Sequence, residues 1–199
     1  MVIKCYNEKH EWLLFMDIEF EQLALVQFAG ALFKKIDDET YQLAASINQY
    51  VATSVGVFFQ DYTNITQDFI NSNGVDIDSL RDLLFGELLQ NVNKEDLLII
   101  SHGLKNDRLV LKENGFNLNT YEDQCGKTKP IDGYCTFNNA KRILNRDKKL
   151  KLEDLAEEAG YYLTCAHNAY NDLWATIAVF TFLKKIEKEQ KGSKENESN

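Results

Sequence analysis

Proline is almost missing from this chain: Pro130 is the only one in 199 residues. No proline-rich linker or repeat divides the sequence, so one domain is the simplest reading, and it is long enough to bury a core without covalent staples. The four cysteines, Cys5, Cys125, Cys135 and Cys165, include no C-x-x-C pair and are too sparse for a disulfide framework. Cys165 stands two residues before His167, which is half of a zinc spacing with no second half to match it. No apolar run approaches bilayer length, and the opening "MVIKCYNEKH" has no signal-peptide pattern. A cytoplasmic protein without a membrane segment is therefore expected.

Cations are scarce as well. The net charge is −9, and residues 1–100 carry six Lys/Arg against sixteen Asp/Glu. Such acidity argues against tight binding of long duplexes, whose phosphates favour basic surfaces. It does not exclude an enzyme that grips a few terminal nucleotides through metal ions. The densest basic stretch comprises Lys141, Arg142, Arg146, Lys148, Lys149 and Lys151. It suits a phosphate track or a solvated loop, and both readings stay open.

What is present reads as an α/β layer architecture. "EWLLFMDIEF" is a buried strand, continuously apolar from Trp12 to Met16. "LALVQFAGALFKKI" and "TYQLAASINQYV" follow closely and suggest an antiparallel meander, and "DLLIIS" is a fourth strand. "IDGYCTFNNAKRIL" gives a fifth strand and a short helix, while Pro130 just before it belongs to a loop. Asp78 or Ser79 can cap a helix carrying Leu80, Leu83, Leu84 and Leu88. Further helices end at Gly115 and Gly160, and a last one from about Asn168 to Ile186 is apolar enough to lie on the sheet. The expected organisation is a mixed five-stranded sheet flanked by helices over residues 1–186, with a disordered polar tail at 187–199.

Three short segments carry the chemistry. Asp17 and Glu19 in "FMDIEFEQ" are alternate residues of a strand and so point the same way, with Met16 and Ile18 facing the other side. Two buried carboxylates repel each other and are costly unless cations neutralise them. Asp107 follows "LLIIS" by a few residues, near a helix start, where α/β sheets display functional groups. His167 and Asp172 in "AHNAYNDLWAT" are five apart, roughly 140° of rotation on one regular helix. Both can serve one site only if His167 sits on the preceding loop or first turn and bends back. Each segment alone also has a bland reading: a strand end reaching solvent, a capping aspartate, an exposed histidine.

Together, in this order, the segments resemble the DEDDh 3′–5′ exonucleases, the DnaQ-like branch of the ribonuclease H superfamily. The first has the hydrophobic-D-x-E form. The second is similar to H-N-x-x-F-D, with His102 five residues before Asp107 but Gly103 and Asn106 at the Asn and Phe positions. The third matches H-x-A-x-x-D closely, and "NIT" at 64–66 resembles the family's G-I-T. Phe20 stands where many relatives carry Thr. The likeness spans about residues 11–186.

The resemblance implies a ribonuclease H-like fold and a metal-dependent exonuclease. It would release nucleoside 5′-monophosphates from single-stranded DNA or RNA 3′ ends. Asp17, Glu19, Asp107 and Asp172 would hold two divalent ions, Mg²⁺ or Mn²⁺, which suit an oxygen-only ligand set, roughly 4 Å apart. Asp17 would bridge them, and His167 would deprotonate the attacking water, a role that suits an imidazole. Phe20 and His102 are candidate substrate contacts, Phe20 by stacking on a base; for His102, packing under its loop is the favoured reading. The alternative is a partner-dependent proofreading or nucleic-acid-binding subunit, and a homodimer or a larger nucleic-acid-processing complex fits either reading.

Overall fold

Three consecutive strands joined by tight turns build the expected meander. After a short β1 (Val2–Lys4) come β2 (Trp12–Glu21), β3 (Ala24–Asp37) and β4 (Thr40–Tyr50), paired antiparallel. The structure is a computed structural model and describes residues 1–146 and 150–197. Chain reversal between β2 and β3 uses Gln22 and Leu23 at φ 52° and 82°, the left-handed pair that a two-residue hairpin requires. The fully buried β5 (Leu97–Ser101) lies parallel to β2. A separate hairpin of β6 (Thr120–Glu122) and β7 (Thr128–Pro130) precedes β8 (Asp132–Cys135), which pairs parallel with β5. The sheet order is β1-β4-β3-β2-β5-β8, so the mixed sheet has six strands.

Parallel neighbours need crossovers, and helices supply them. Between β4 and β5 run α1 (Val57–Thr63), α2 (Gln67–Asn73) and α3 (Ile77–Arg81), the last continuing as a π-helical segment over Asp82–Leu88. Next come α4 (Leu104–Glu113) after β5, then α5 (Thr136–Ile143), α6 (Leu152–Glu158) and α7 (Ala169–Glu197) after β8. Gly115 and Gly160, at φ 84° and 80°, end α4 and α6 as expected. Among the described residues no helix is long and apolar enough to cross a membrane.

The two faces of β2 decide where the site forms. Leu14, Met16 and Ile18 pack into a core with Leu80, Leu84 and Leu111. Leu13 and Phe15 pack on the other face against Leu173, Ile177 and Phe180 of α7. Phe15 meets Phe33 and Phe180 edge-on, with centroids 5.4 and 5.2 Å apart. Asp17 and Glu19 continue this α7-facing row toward the start of α7.

Four expectations need correction. The sixth strand is β1, whose three residues bury only Ile3 and are too few to show a period. Pro130 is the last residue of β7, tolerated there because a two-stranded hairpin consists of edges. The helix cap is Asp76, whose carboxylate accepts the Ser79 N–H at 2.9 Å, two residues before the first expected cap. Residues 187–197, expected as a disordered tail, continue α7. Polar bonds rather than apolar periodicity tie this polar end down: Arg142–Glu187 at 2.5 Å, Lys188–Glu39 at 2.7 Å, and Gln190 Nε2 to the Ile143 carbonyl at 3.1 Å. Residues 198 and 199, and Lys148 and Lys149 of the basic stretch, lie outside the described residues.

Candidate active site

Three elements meet where β2 ends. A bulge between Glu19 and Phe20 breaks the pairing with β3 just beyond the two acids. Opposite Glu19 stands Gln27, buried in a part of β3 that is otherwise apolar from Ala24 to Phe33. Its amide nitrogen donates to Asn48 Oδ1 at 2.8 Å, and its oxygen accepts the Ala169 N–H at 3.1 Å. Gln27 therefore fastens the first residue of α7 to the sheet. Ala169 is fully buried there, so this point of the H-x-A-x-x-D segment has room for little more than a methyl group.

Asp172 comes one turn later and is buried. Its Oδ2 accepts the backbone N–H of His167 at 3.1 Å, while Oδ1 is buried with no hydrogen-bond partner. His167 precedes the helix, off its regular surface as the spacing requires, with φ at 65°. Such a backbone is uncommon for a residue with a Cβ and marks a loop held by its surroundings. The carbonyl of Cys165, also left-handed at 55°, accepts a hydrogen bond from Asn171 Nδ2 at 3.2 Å.

Asp107 lies in the first turn of α4, which starts at Leu104. The Ser101 hydroxyl, at the end of β5, donates to Asp107 Oδ2 and accepts the Gly103 N–H at 3.1 Å. Ser101 thus orients the carboxylate; only its place ending an apolar strand hinted at this in the sequence.

Oxygens of Asp17, Glu19 and Asp172 all lie within 4.8 Å of one another. These three and Asp107 line one cleft of 570 Å³, together with His102, Lys105, Lys151 and His167. A smaller cavity of 280 Å³ adjoins it, lined by Tyr62, Lys151, Glu153, His167 and Asp172 among others.

Crowding shows in the proton affinities. Burial, then the charges of Asp107, Asp172 and Glu19, hold the Asp17 carboxyl well above the usual range. Burial and the same two aspartates push Glu19 up to about 8. Asp107 is raised to about 6 by burial against the opposing Ser101 bond. Asp172 is also raised to about 6, by burial first, with the His167 N–H pulling the other way and Glu153 adding to the rise. Carboxyls that cannot all ionise together need positive charge between them. The unpartnered Asp172 oxygen and the all-oxygen donor set fit a hard divalent cation.

His102 lines the cleft, with Nδ1 2.9 Å from Thr136 Oγ1 and its ring edge-on to Phe137. Burial pushes its pKa down to about 4, so the ring is neutral. Phe20, 36% exposed, follows the bulge and stands outside the lining of the cleft. The basic stretch is largely paired with acids: Arg142 with Glu187 at 2.5 Å, Arg146 with Glu158 at 2.5 Å, Lys151 with Glu153 at 2.8 Å. Of its described cations, Lys151 is the one that lines the cleft.

No protein-family model matches the chain, and no curated protein matches it in sequence. Solved structures do. The crystal structure of cell-death related nuclease 4 aligns with a TM-score of 0.66 at 14% identity, over 91% of this chain and 66% of that one. A 3′-exonuclease described in 3′-end specific recognition of histone mRNA stem-loop aligns at 0.62 and 13%, over 94% and 84%. The zinc-bound complex of Escherichia coli exonuclease I with single-stranded DNA aligns at 0.64 and 16%, over 88% of this chain. The present chain spans just under two thirds of the first and 41% of the exonuclease I chain. At these identities the likeness is one of fold: this chain has the ribonuclease H-like α/β fold in which those nucleases are built.

Proposed function

We propose that this protein is a metal-dependent 3′–5′ exonuclease acting on single-stranded nucleic acid ends. The observation that carries the reading is the convergence of Asp17, Glu19, Asp107 and Asp172 on one cleft, with His167 at its side. The fold shared with 3′-exonucleases agrees with it, and so do the ligands in two of their descriptions, a histone mRNA stem-loop and single-stranded DNA.

Asp17, Glu19 and Asp172 would hold one Mg²⁺ or Mn²⁺, and Asp107, with Asp17, a second. Bound there, such ions supply charge for the attacking and leaving oxygens of a phosphodiester and ease ionisation of water. The protein's own work is separable from that. The imidazole of His167, which lines the cleft, takes the proton of the attacking water. Asp172 anchors the His167 backbone, Ser101 orients Asp107, and Gln27 fixes the helix that carries Asp172. Lys105 and Lys151 offer charge to the phosphates, and the products are nucleoside 5′-monophosphates.

The test is a gel assay on 5′-labelled single-stranded RNA and DNA of matched sequence with Mn²⁺ or Mg²⁺. Wild-type protein is expected to give a ladder shortening from the 3′ end that chelator abolishes. Asp17→Ala should abolish it too, while His167→Ala should slow cleavage by about a hundredfold or more and leave metal affinity nearly unchanged. Turnover near wild type in Asp17→Ala would falsify the assignment. Loss of metal binding in His167→Ala would remove His167 from the base role. Cleavage that needs an added protein partner would favour a subunit of a larger complex.

A further inference from the structure

Tyr62 belongs to none of the segments that marked the site, yet it makes the closest ring contact to His167. The phenol and imidazole centroids are 3.9 Å apart, and the planes are tilted by 32°. Tyr62 is 61% exposed, so core burial does not explain its place. Its backbone is nevertheless well fixed. The neighbouring Phe59 and Thr63 are buried, the Thr63 hydroxyl bonds the Phe59 carbonyl at 2.8 Å, and Asn64 closes α1 in the left-handed conformation.

His167 has the complementary need. Its backbone N–H is pinned by Asp172, but that bond leaves both side-chain torsions free. The ring lies at the boundary of two cavities, the carboxylate cleft and the smaller one that Tyr62, Lys151 and Glu153 line. A free imidazole would sample both. A proton acceptor is effective only when its nitrogen is held toward the proton it takes, and small misplacements cost about a hundredfold in rate.

We infer that Tyr62 is a positioning residue: its ring face holds the His167 imidazole so that a ring nitrogen is presented to the carboxylate cleft. This rests on the proposed nuclease reading, in which His167 is the base. The stacking face is what matters, so phenylalanine should replace tyrosine without loss.

The experiment measures kcat and KM of the full chain with Mn²⁺ on a 5′-labelled single-stranded oligonucleotide, for wild type, Tyr62→Ala and Tyr62→Phe. Carbon-edited NMR of the imidazole C–H groups accompanies it. The chain has three histidines, so the His167 signals can be assigned by their loss in His167→Gln. Tyr62→Ala should lower kcat about ten- to a hundredfold with KM within about twofold of wild type. The upfield ring-current shift of His167 should vanish in that variant, and Tyr62→Phe should restore both. If Tyr62→Ala keeps the wild-type kcat, the inference fails while the nuclease reading stands. A rise in KM at unchanged kcat also overturns it, making Tyr62 a substrate contact. Wild-type protein that cuts neither RNA nor DNA ends sinks the nuclease reading and takes this inference with it.

Discussion

A carboxyl group set among other carboxyls and away from water keeps its proton, and four such groups surround the cleft. Their raised pKa values make two linked statements. Asp107 and Asp172, at about 6, and Glu19, at about 8, bind more protons in the fold than in the unfolded chain. Without metal, the fold therefore loses stability as pH rises above the unfolded carboxyl range near 4, until Asp107 and Asp172 have ionised at about 6 and Glu19 at about 8. Metal binding must displace the retained protons, so affinity for Mn²⁺ should climb over the same interval. Titration calorimetry at pH 6 and pH 8, in buffers of different ionisation enthalpy, should detect protons released on binding. In the metal-free protein Asp17→Asn should raise Tm at pH 8 more than at pH 6, because it removes one of the repelling charges. An equal effect at both pH values, or a fall in Tm at both, would mean the crowding is relieved by something other than protons.

At the scale of elements, α7 is anchored at its start and at its middle by groups that sequence patterns do not reveal. Gln27 fastens its start. Midway along it Lys184 reaches Glu8 at 2.8 Å, and Glu8 also holds His10 at 2.5 Å, all three side chains being buried. His10 bonds Asp132 at the head of β8 at 2.9 Å, so one network ties the β1–β2 connection, β8 and α7. Burial alone would raise Glu8, but the His10 and Lys184 bonds outweigh it and hold the carboxyl down to about 2. Burial would lower His10, and its bonds to Glu8 and Asp132 outweigh that and raise it. Removing one partner of a buried ion pair costs about 3–5 kcal/mol. Lys184→Ala should therefore destabilise strongly in urea unfolding, and Glu8→Gln added to Lys184→Met should recover part of the loss. A single-variant loss under about 1 kcal/mol would show the network to be hydrated and slack. The contrast with the active-site strand explains what was legible in the sequence. Alternation put Asp17 and Glu19 on one face, and five-residue spacing put His167 ahead of its helix. Both follow from local periods. Gln27, Tyr62 and the Glu8–Lys184 and His10–Asp132 pairs act across long sequence separations as single polar residues, Ser101 acts locally through one hydroxyl, and no period announces any of them. β1 and the end of α7 carry no such period either, being held by pairing and ion pairs rather than by apolar faces.

For the molecule as a whole, charge sets how nucleic acid can be held. No lysine or arginine occurs between Lys35 and Arg81, so α1, whose Tyr62 lines the smaller cavity beside the cleft, offers no cation. Three cations of the 141–151 stretch are paired with acids, and Lys105 and Lys151 are the described cations that line the cleft. A net charge of −9 would repel a long phosphate chain elsewhere on the surface. Binding must then rest on metal coordination and base contacts, with few counterions released. Each neutralised phosphate of a single strand contributes about −0.7 to the slope of log K against log salt, so two lysines give about −1.4. Measured by fluorescence anisotropy with a short labelled oligonucleotide and Asp17→Asn protein, the slope should be that shallow, and Lys105→Ala should flatten it by about 0.7. Duplex of equal length should bind more weakly at every salt concentration. A slope steeper than about −4, or preference for duplex, would reveal a phosphate track that the paired cations conceal, and the single-strand assignment would fall with it.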